Sequence, residues 1–331
     1  MEIHNVKQSY KFSLPDIPVG SHPLEQGDYI LSTIAINDLF ESIIKWIHMR
    51  NPGAIIYGAP RLGKSFAIKY LQRIFELKYE NEFVSFLVTS EKVKIPNEDR
   101  FYENLLKDVG HSLYNNGKAK AKKNRLINYL LEKGEHSIKN QVVLFYDDAQ
   151  RLGEYEYEWL MDIYNELQRY NITMTTILVG QEELKHRRNS YLSTSKQIVG
   201  RFMIHEKPFH GMKDVEELSF LLEGYDTISE FPLKSGWSYT KYFFPEGFLS
   251  GSRLEAEAPT IWNIFQTIRY ENGMKKKIEI PMHYIIAIIN YVLIKYGTNN
   301  QGILWPTPNM WREGILESGY IQAEVIQLSD I

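Results

Sequence analysis

The chain has 331 residues, 44% of them hydrophobic and 24% charged, with a net charge of -3 and no cysteine. This is the composition of a folded soluble protein with room for one α/β core and a smaller second unit; it excludes disulfide frameworks, thiolate metal sites and a cysteine nucleophile, and suits a reducing cytoplasm. A chain so near neutrality does not coat nucleic acid with its whole surface, so any such contact must come from a local patch.

Residues 1–30 carry Pro15, Pro18 and Pro23 without a sustained period and read as an extended arm. The opening Met1-Glu2-Ile3-His4 lacks the basic-then-apolar layout of a secretory signal. Ser32 or Thr33 then caps a helix whose apolar positions Leu39, Phe40, Ile43, Ile44 and Ile47 recur at 3.6-residue spacing. Pro52-Gly53 breaks the chain before the apolar strand 54–57, and 66–75 reads as a helix. A strand over 83–88 leads to a charged loop holding Lys92 and Lys94, then to a helix with Phe101, Leu105 and Val109 on one side and another with Leu126, Ile127, Leu130 and Leu131. The unbroken apolar run 142–146 is the pattern of a strand covered on both faces. A helix marked by Trp159, Ile163 and Leu167 and a buried strand over 174–179 follow. This alternation predicts an α/β fold, a parallel sheet with helices on both faces.

From about Phe209 the alternation stops, and helices flank an aromatic stretch over 237–248, as in a second, mainly helical unit. The most apolar segment, 285–294, is too short to span a membrane and includes Asn290 and Tyr291; it reads as a buried helix with Pro281 near its first turn, Lys295 in its last and Gly297 beyond. The cluster Lys275-Lys276-Lys277 before it reads as a solvated turn. The last thirty residues, with Trp305, Pro306, Pro308 and Trp311, are equally consistent with a docking tail or with a wrap around the helical unit. The expected division is an arm (1–30), a nucleotide-binding domain (31–209), a helical lid (210–297) and a tail (298–331).

Between the first strand and its helix lies Gly58-Ala59-Pro60-Arg61-Leu62-Gly63-Lys64-Ser65, a complete phosphate loop. Its glycines let backbone N–H groups turn toward phosphates, Lys64 neutralises β/γ charge, and the Ser65 hydroxyl suits Mg²⁺. The expected nucleotide contacts are Gly58, Ala59, Arg61, Leu62, Gly63, Lys64, Ser65 and Phe66. The strand 142–146 runs into Asp147-Asp148. Asp147 is expected to hold Mg²⁺ together with Ser65, and Asp148 to orient or deprotonate the attacking water. Gln181, at the end of the next strand, either reaches the γ-phosphate or the water, or caps the helix that starts at Glu182. No Asn-Lys-x-Asp element accompanies the loop, which favours ATP over GTP.

In this order, the phosphate loop, Asp147-Asp148-Ala149-Gln150, Ile177-Leu178-Val179-Gly180-Gln181-Glu182-Glu183-Leu184 and Gly200-Arg201-Phe202 resemble the AAA+ ATPases that regulate DNA transposition, the TnsC/TniB group, which is related to ExeA-type ATPases. The resemblance covers about residues 33–209 well and the remainder loosely. It implies a P-loop AAA+ core with a mainly helical C-terminal lid, and ATP with Mg²⁺ held between subunits. It further implies Arg201 as a finger reaching a neighbour's nucleotide, with Arg187 and Arg188 as the fallback, Gln181 as sensor 1 and Arg253 as the sensor-2 arginine. Asp148 stands where Glu is commoner, which implies slow hydrolysis.

The run from Lys118 to Arg125 places five cations in eight residues, a pattern that by itself is usually a solvated face. The resemblance implies that Lys92, Lys94, Lys118, Lys120 and Lys122 contact double-stranded DNA along its backbone, without sequence specificity. It implies too a ring or helical filament of identical subunits that recruits a transposase and target-selection proteins in the cytoplasm of a prokaryote, without a membrane. The alternatives are an ExeA-like ATPase and an ATP-gated signalling switch that does not act on DNA.

Overall fold

The computed structural model describes residues 14–274, 277–297 and 302–329. The described residues form two compact units, one of residues 35–210 and one that unites residues 14–34 with the described residues from 211 onward. Residues 1–13 of the expected arm, with Lys275, Lys276 and residues 298–301, 330 and 331, lie outside the described residues.

In chain order the elements begin with α1 (Pro23–Gln26), α2 (Ile34–His48), β1 (Gly53–Tyr57), α3 (Lys64–Lys78), β2 (Val84–Thr89), α4 (Glu98–Asp108) and α5 (Ala119–Glu135). Then come β3 (Gln141–Asp147), a 3₁₀ turn (Ala149–Arg151), α6 (Glu154–Arg169), β4 (Thr173–Gly180), α7 (Glu182–Thr194), α8 (Lys196–Phe202) and β5 (His205–Pro208). The five strands form one parallel sheet in the order β2-β3-β4-β1-β5.

The sheet is covered on both faces, as the continuous apolar runs predict. β1 is buried at every residue, β3 at all but Asp147 and β4 at all but Thr173, whereas the edge strands β2 and β5 are partly exposed. Because successive strand residues point to opposite faces, one core takes Ile55, Leu144, Tyr146 and Leu178, packed with Leu105, Leu126 and Tyr157 of the helices. The other takes Ala54, Ile56, Phe145 and Val179, packed with Leu39, Ile43, Leu71 and Phe75. Helix α2 buries Leu39, Ile43 and Ile47 of the predicted stripe together with Ile36 and Trp46, while Phe40 and Ile44 are half-buried at its margin, and it closes on Lys45 and His48 at its negative pole.

The second unit is mainly helical: α9 (Val215–Glu223), a π turn (Gly224–Ile228), α10 (Tyr239–Phe243), α11 (Pro245–Leu249), α12 (Ala258–Glu271), α13 (Met282–Tyr296), α14 (Pro308–Glu317) and α15 (Tyr320–Ser329). Its core joins Leu24 of α1 to Leu222, Phe265, Ile288, Trp311 and Tyr320. The apolar segment expected around 285–294 is α13, with Pro281 as N-cap and Gly297 as C-cap. Buried Arg269 of α12 reaches Tyr320 and Glu324 of α15 and so ties the last helix down. His22 is fully buried among Phe231, Tyr239, Tyr242 and Phe243, stacked on Tyr242 with ring centroids 4.7 Å apart. No helix among the described residues is long and apolar enough to cross a membrane.

Candidate nucleotide-binding site

Parallel order brings the carboxyl ends of β1, β4 and β3 to one edge of the sheet, where α/β proteins hold their ligands. Tyr57 of β1 is in register with Gly180 of β4, and Tyr146 of β3 with Leu178. The phosphate loop therefore leaves one strand, Gln181 leaves its neighbour, and Asp147-Asp148 leave the next. With strands about 4.8 Å apart, the loop and the two carboxylates are about 10 Å from one another in the plane of the sheet.

Loop shape follows from a few residues. Arg61 and Gly63 adopt left-handed backbone angles, φ 64° and 99°, and Leu62 is buried in the core on one face of the sheet. Gly58 is required by close packing, because a Cβ there would lie 2.3 Å from the carbonyl oxygen of Phe209. Gly63 offers no side-chain cap to α3, so the first-turn N–H groups of that helix remain for an anion. Lys64 Nζ curls back and donates to the carbonyls of Gly58 at 2.8 Å and Ala59 at 2.7 Å. Burial pushes its ammonium below the ordinary lysine value, and Asp147, Glu182, Asp148 and Glu183 pull in the opposite sense. An ammonium bonded to loop carbonyls is positioned to exchange them for phosphate oxygens. Ser65 and Phe66 are exposed at the start of α3. The oxygens of Ser65 and Asp147 form the hard donor set that suits Mg²⁺, completed by water and phosphate.

At the end of β3, Asp147 Oδ1 accepts from the Asp148 N–H at 2.9 Å. Asp148 has φ 55° and opens the 3₁₀ turn. Gln150 Nε2 donates to Asp148 Oδ1 at 3.1 Å, and Arg151 lies 2.9 Å from Asp148 Oδ2. Gln150 Oε1 accepts from the Gln181 N–H at 3.2 Å, which links the ends of β3 and β4. Gln181 is the N-cap residue of α7 by position, but its side chain makes no capping bond. Neither Gln150 nor Arg151 stands out by sequence periodicity; Gln150 belongs to the Asp147-Asp148-Ala149-Gln150 motif, and the only signal for Arg151 is adjacency to it.

Of the expected arginines, Arg201 donates to Asn165 Oδ1 and lies 4.9 Å over the Tyr164 ring, both on α6. Arg187 donates to the carbonyl of Gln150 at 2.9 Å, and Arg188 to that of Met203 at 2.8 Å. Arg253 belongs to the helical unit, where it donates to the carbonyls of Phe248 and Ser252 and stacks 3.8 Å from the Phe248 ring.

The basic run divides. Lys92, Lys94, Lys118 and Lys120 are exposed. Lys122, expected among the DNA contacts, must be withdrawn from them: its side chain is 3% exposed, with the ammonium 2.8 Å from Asp99 Oδ2 and bonded to Glu103. The reason is helical phase, which turns it inward onto α4. Lys123 pairs with Asp162 at 2.6 Å, and Arg125 donates to the carbonyls of Leu113 and Asn116. The Lys122–Asp99 pair also sets the start of α5 beside the start of α4, where the loop carrying Lys92 and Lys94 arrives.

The family model of the AAA domain matches residues 48–187. No curated protein matches the sequence. Among solved structures, the ORC2 protein of Aeropyrum pernix in its ADP form is 13% identical over 88% of this chain and 71% of its own, with a TM-score of 0.56. The ADPNP-ADP complexes of the same protein give 12% identity, 93% and 70% coverage and a TM-score of 0.52. Domain III of the replication initiation protein DnaA of Thermotoga maritima is 14% identical over 89% of this chain and 95% of its own, with a TM-score of 0.49. At these identities the likeness to the two ORC2 structures concerns the fold alone, which together with the AAA domain match is that of the AAA+ P-loop ATPases.

Proposed function

We propose that this chain, a protein of AAA+ fold, is an ATP-dependent regulator of DNA transposition that assembles on double-stranded DNA, recruits or activates a transposase, and disassembles as ATP is hydrolysed. The observation that carries the nucleotide part is the alignment of a complete phosphate loop with two carboxylates at one sheet edge. Lys64 and the α3 N-terminus bind the phosphates, and Ser65 and Asp147 would hold Mg²⁺, which would supply positive charge to offset that of the phosphates. Asp148 takes a proton from water as the water oxygen bonds to the γ-phosphorus and the bond to ADP breaks. Its side chain is one methylene shorter than that of Glu, so hydrolysis is slow and ATP acts mainly as an assembly switch. Arg201 serves a neighbouring subunit after leaving Asn165 and Tyr164, and Arg253 reads the γ-phosphate from the helical unit.

The DNA reading is supported by four exposed lysines, Lys92 and Lys94 in the loop that leads to α4 and Lys118 and Lys120 at the start of α5. Lys118 and Lys120 sit at the positive pole of α5, in a first turn without any acid, where cations oppose the helix dipole by about 0.3–1 kcal/mol each. A placement that costs stability is consistent with a role in binding. Lysines on phosphates give salt-dependent, sequence-independent affinity, which repetition around a ring or filament multiplies. The cytoplasm of a prokaryote is the proposed setting.

The test is a DNA mobility shift and sedimentation in ATP, ADP or a non-hydrolysable analogue. The proposal expects a salt-sensitive, ATP-dependent assembly on duplex DNA that Lys64→Ala abolishes, and a transposase retained by that assembly. Assembly with ATP that ignores DNA would overturn the DNA reading in favour of a signalling switch, and a monomer under every condition would overturn the whole.

A further inference from the structure

Both oxygens of Asp148 are engaged, and the two partners are held in unequal ways. Gln150, on Oδ1, is anchored: its Oε1 accepts from Gln181 N–H, its own carbonyl accepts from Arg187, and Gly180 leaves the space it fills, since a Cβ at that glycine would come within 2.5 Å of Gln150 Oε1. Arg151, on Oδ2, is 40% exposed, and its other hydrogen bond is one 3.2 Å contact to the Ser90 carbonyl. The left-handed backbone of Asp148 opens the 3₁₀ turn that places the guanidinium three residues on beside the carboxylate.

We propose that Arg151 is a restraint on hydrolysis, a positioning residue that occupies Asp148 Oδ2 in the resting protein and must swing away before that oxygen can accept a proton. The inference rests on the reading of Asp148 as the base. A carboxylate oxygen that already accepts from a guanidinium is a poorer acceptor for the proton of water, because its lone pair is engaged and its charge is partly neutralised. Gln150 has the complementary task. With Oδ1 held by an anchored amide, release of Arg151 leaves Asp148 oriented with Oδ2 open, so that one movement converts a resting base into a working one. The exposure of the guanidinium makes the movement inexpensive: an exposed ion pair is worth about 1 kcal/mol or less, so its removal is expected to raise turnover by about fivefold or less.

The test uses the purified full chain with Mg²⁺ and ATP. Steady-state turnover is measured for the natural protein, Arg151→Gln, Arg151→Ala, Arg151→Lys, Asp148→Asn and the Arg151→Gln/Asp148→Asn double variant, with nucleotide affinity read by a fluorescent ATP analogue. The expected result is a kcat raised about threefold to fivefold in both Arg151→Gln and Arg151→Ala, with KM and nucleotide affinity unchanged, and a return to within about twofold of the natural rate in Arg151→Lys. The double variant should be as inactive as Asp148→Asn. A merely structural arginine would not yield a gain confined to kcat. Unchanged or lowered kcat in the folded Arg151 variants, beside an inactive Asp148→Asn, overturns the restraint and leaves the base reading standing. Natural turnover in Asp148→Asn overturns the base reading, and the restraint falls with it.

Discussion

Replacing Lys122 by Ala separates a structural lysine from a DNA-binding one. Its ammonium is bonded to Asp99 and Glu103 of α4, and its side chain is almost wholly enclosed. Removing one partner of a fully buried pair costs about 3–5 kcal/mol, mostly because a charge is left without water. Here the abandoned carboxylates are 46% and 36% exposed, so water recovers much of that loss. What remains is about 1 kcal/mol for each near-surface contact and the lost packing of the lysine stem, about 2–3 kcal/mol together. For a unit of this size the melting midpoint falls by about 2–4 °C per kcal/mol, hence by about 4–12 °C. Thermal unfolding followed by circular dichroism reads that change. A mobility shift well below the midpoint should show DNA affinity within about twofold of the natural protein, whereas charge reversal at Lys118 and Lys120 should weaken it about tenfold or more without lowering the midpoint, since an anion at the positive pole of α5 favours the helix. If Lys122→Ala kept its midpoint and lost DNA affinity as Lys118→Glu does, the assignment of Lys122 to the helix interface would be wrong.

Burial holds His22 down to about 4 from an ordinary 6.5, so the unfolded chain binds the extra proton between those values. Stability is then full above about pH 6.5 and declines as pH falls toward 4, by about 3 kcal/mol in all; urea midpoints across that range should show the slope and His22→Gln should flatten it. Gly58→Ala forces a Cβ onto the Phe209 carbonyl, so a loss of about 2 kcal/mol or more in urea unfolding is expected together with weakened binding of a fluorescent ATP analogue. Asp148→Ala should bind ATP normally and remain assembled on DNA in sedimentation, because disassembly follows hydrolysis; unchanged turnover and disassembly would refute its role.

Much of the sheet was legible because each element depends on local pattern. The buried runs 54–57, 142–146 and 174–179 have no solvated face, and only a sheet with two covers satisfies them. The phosphate loop was legible for the same reason, since its backbone angles and donors come from eight consecutive residues. Lys122 was misread because a charge run carries no phase until its helix has a neighbour: Lys118 and Lys120 face water while Lys122, on the same helix, meets Asp99. Arg151 escaped notice, and Gln150 figured only as a letter of a motif, because a turn of three residues has no period and their partners are Asp148, Ser90 after β2, and Gln181 and Arg187 after β4. The joining of the arm to the helices after 211 was equally hidden, since His22 finds its aromatic partners more than two hundred residues away.

Sequence alone determined the alternation that makes a parallel sheet, the phosphate loop and the carboxylates that end β3, because contiguous residues set strand, turn and helix by short-range sterics and patterning. Tertiary structure alone decided which lysines meet water, which oxygens of Asp148 are engaged and which distant segments share a core. Those outcomes depend on the phase and register of elements far apart in the chain, and they exist only once packing has fixed both.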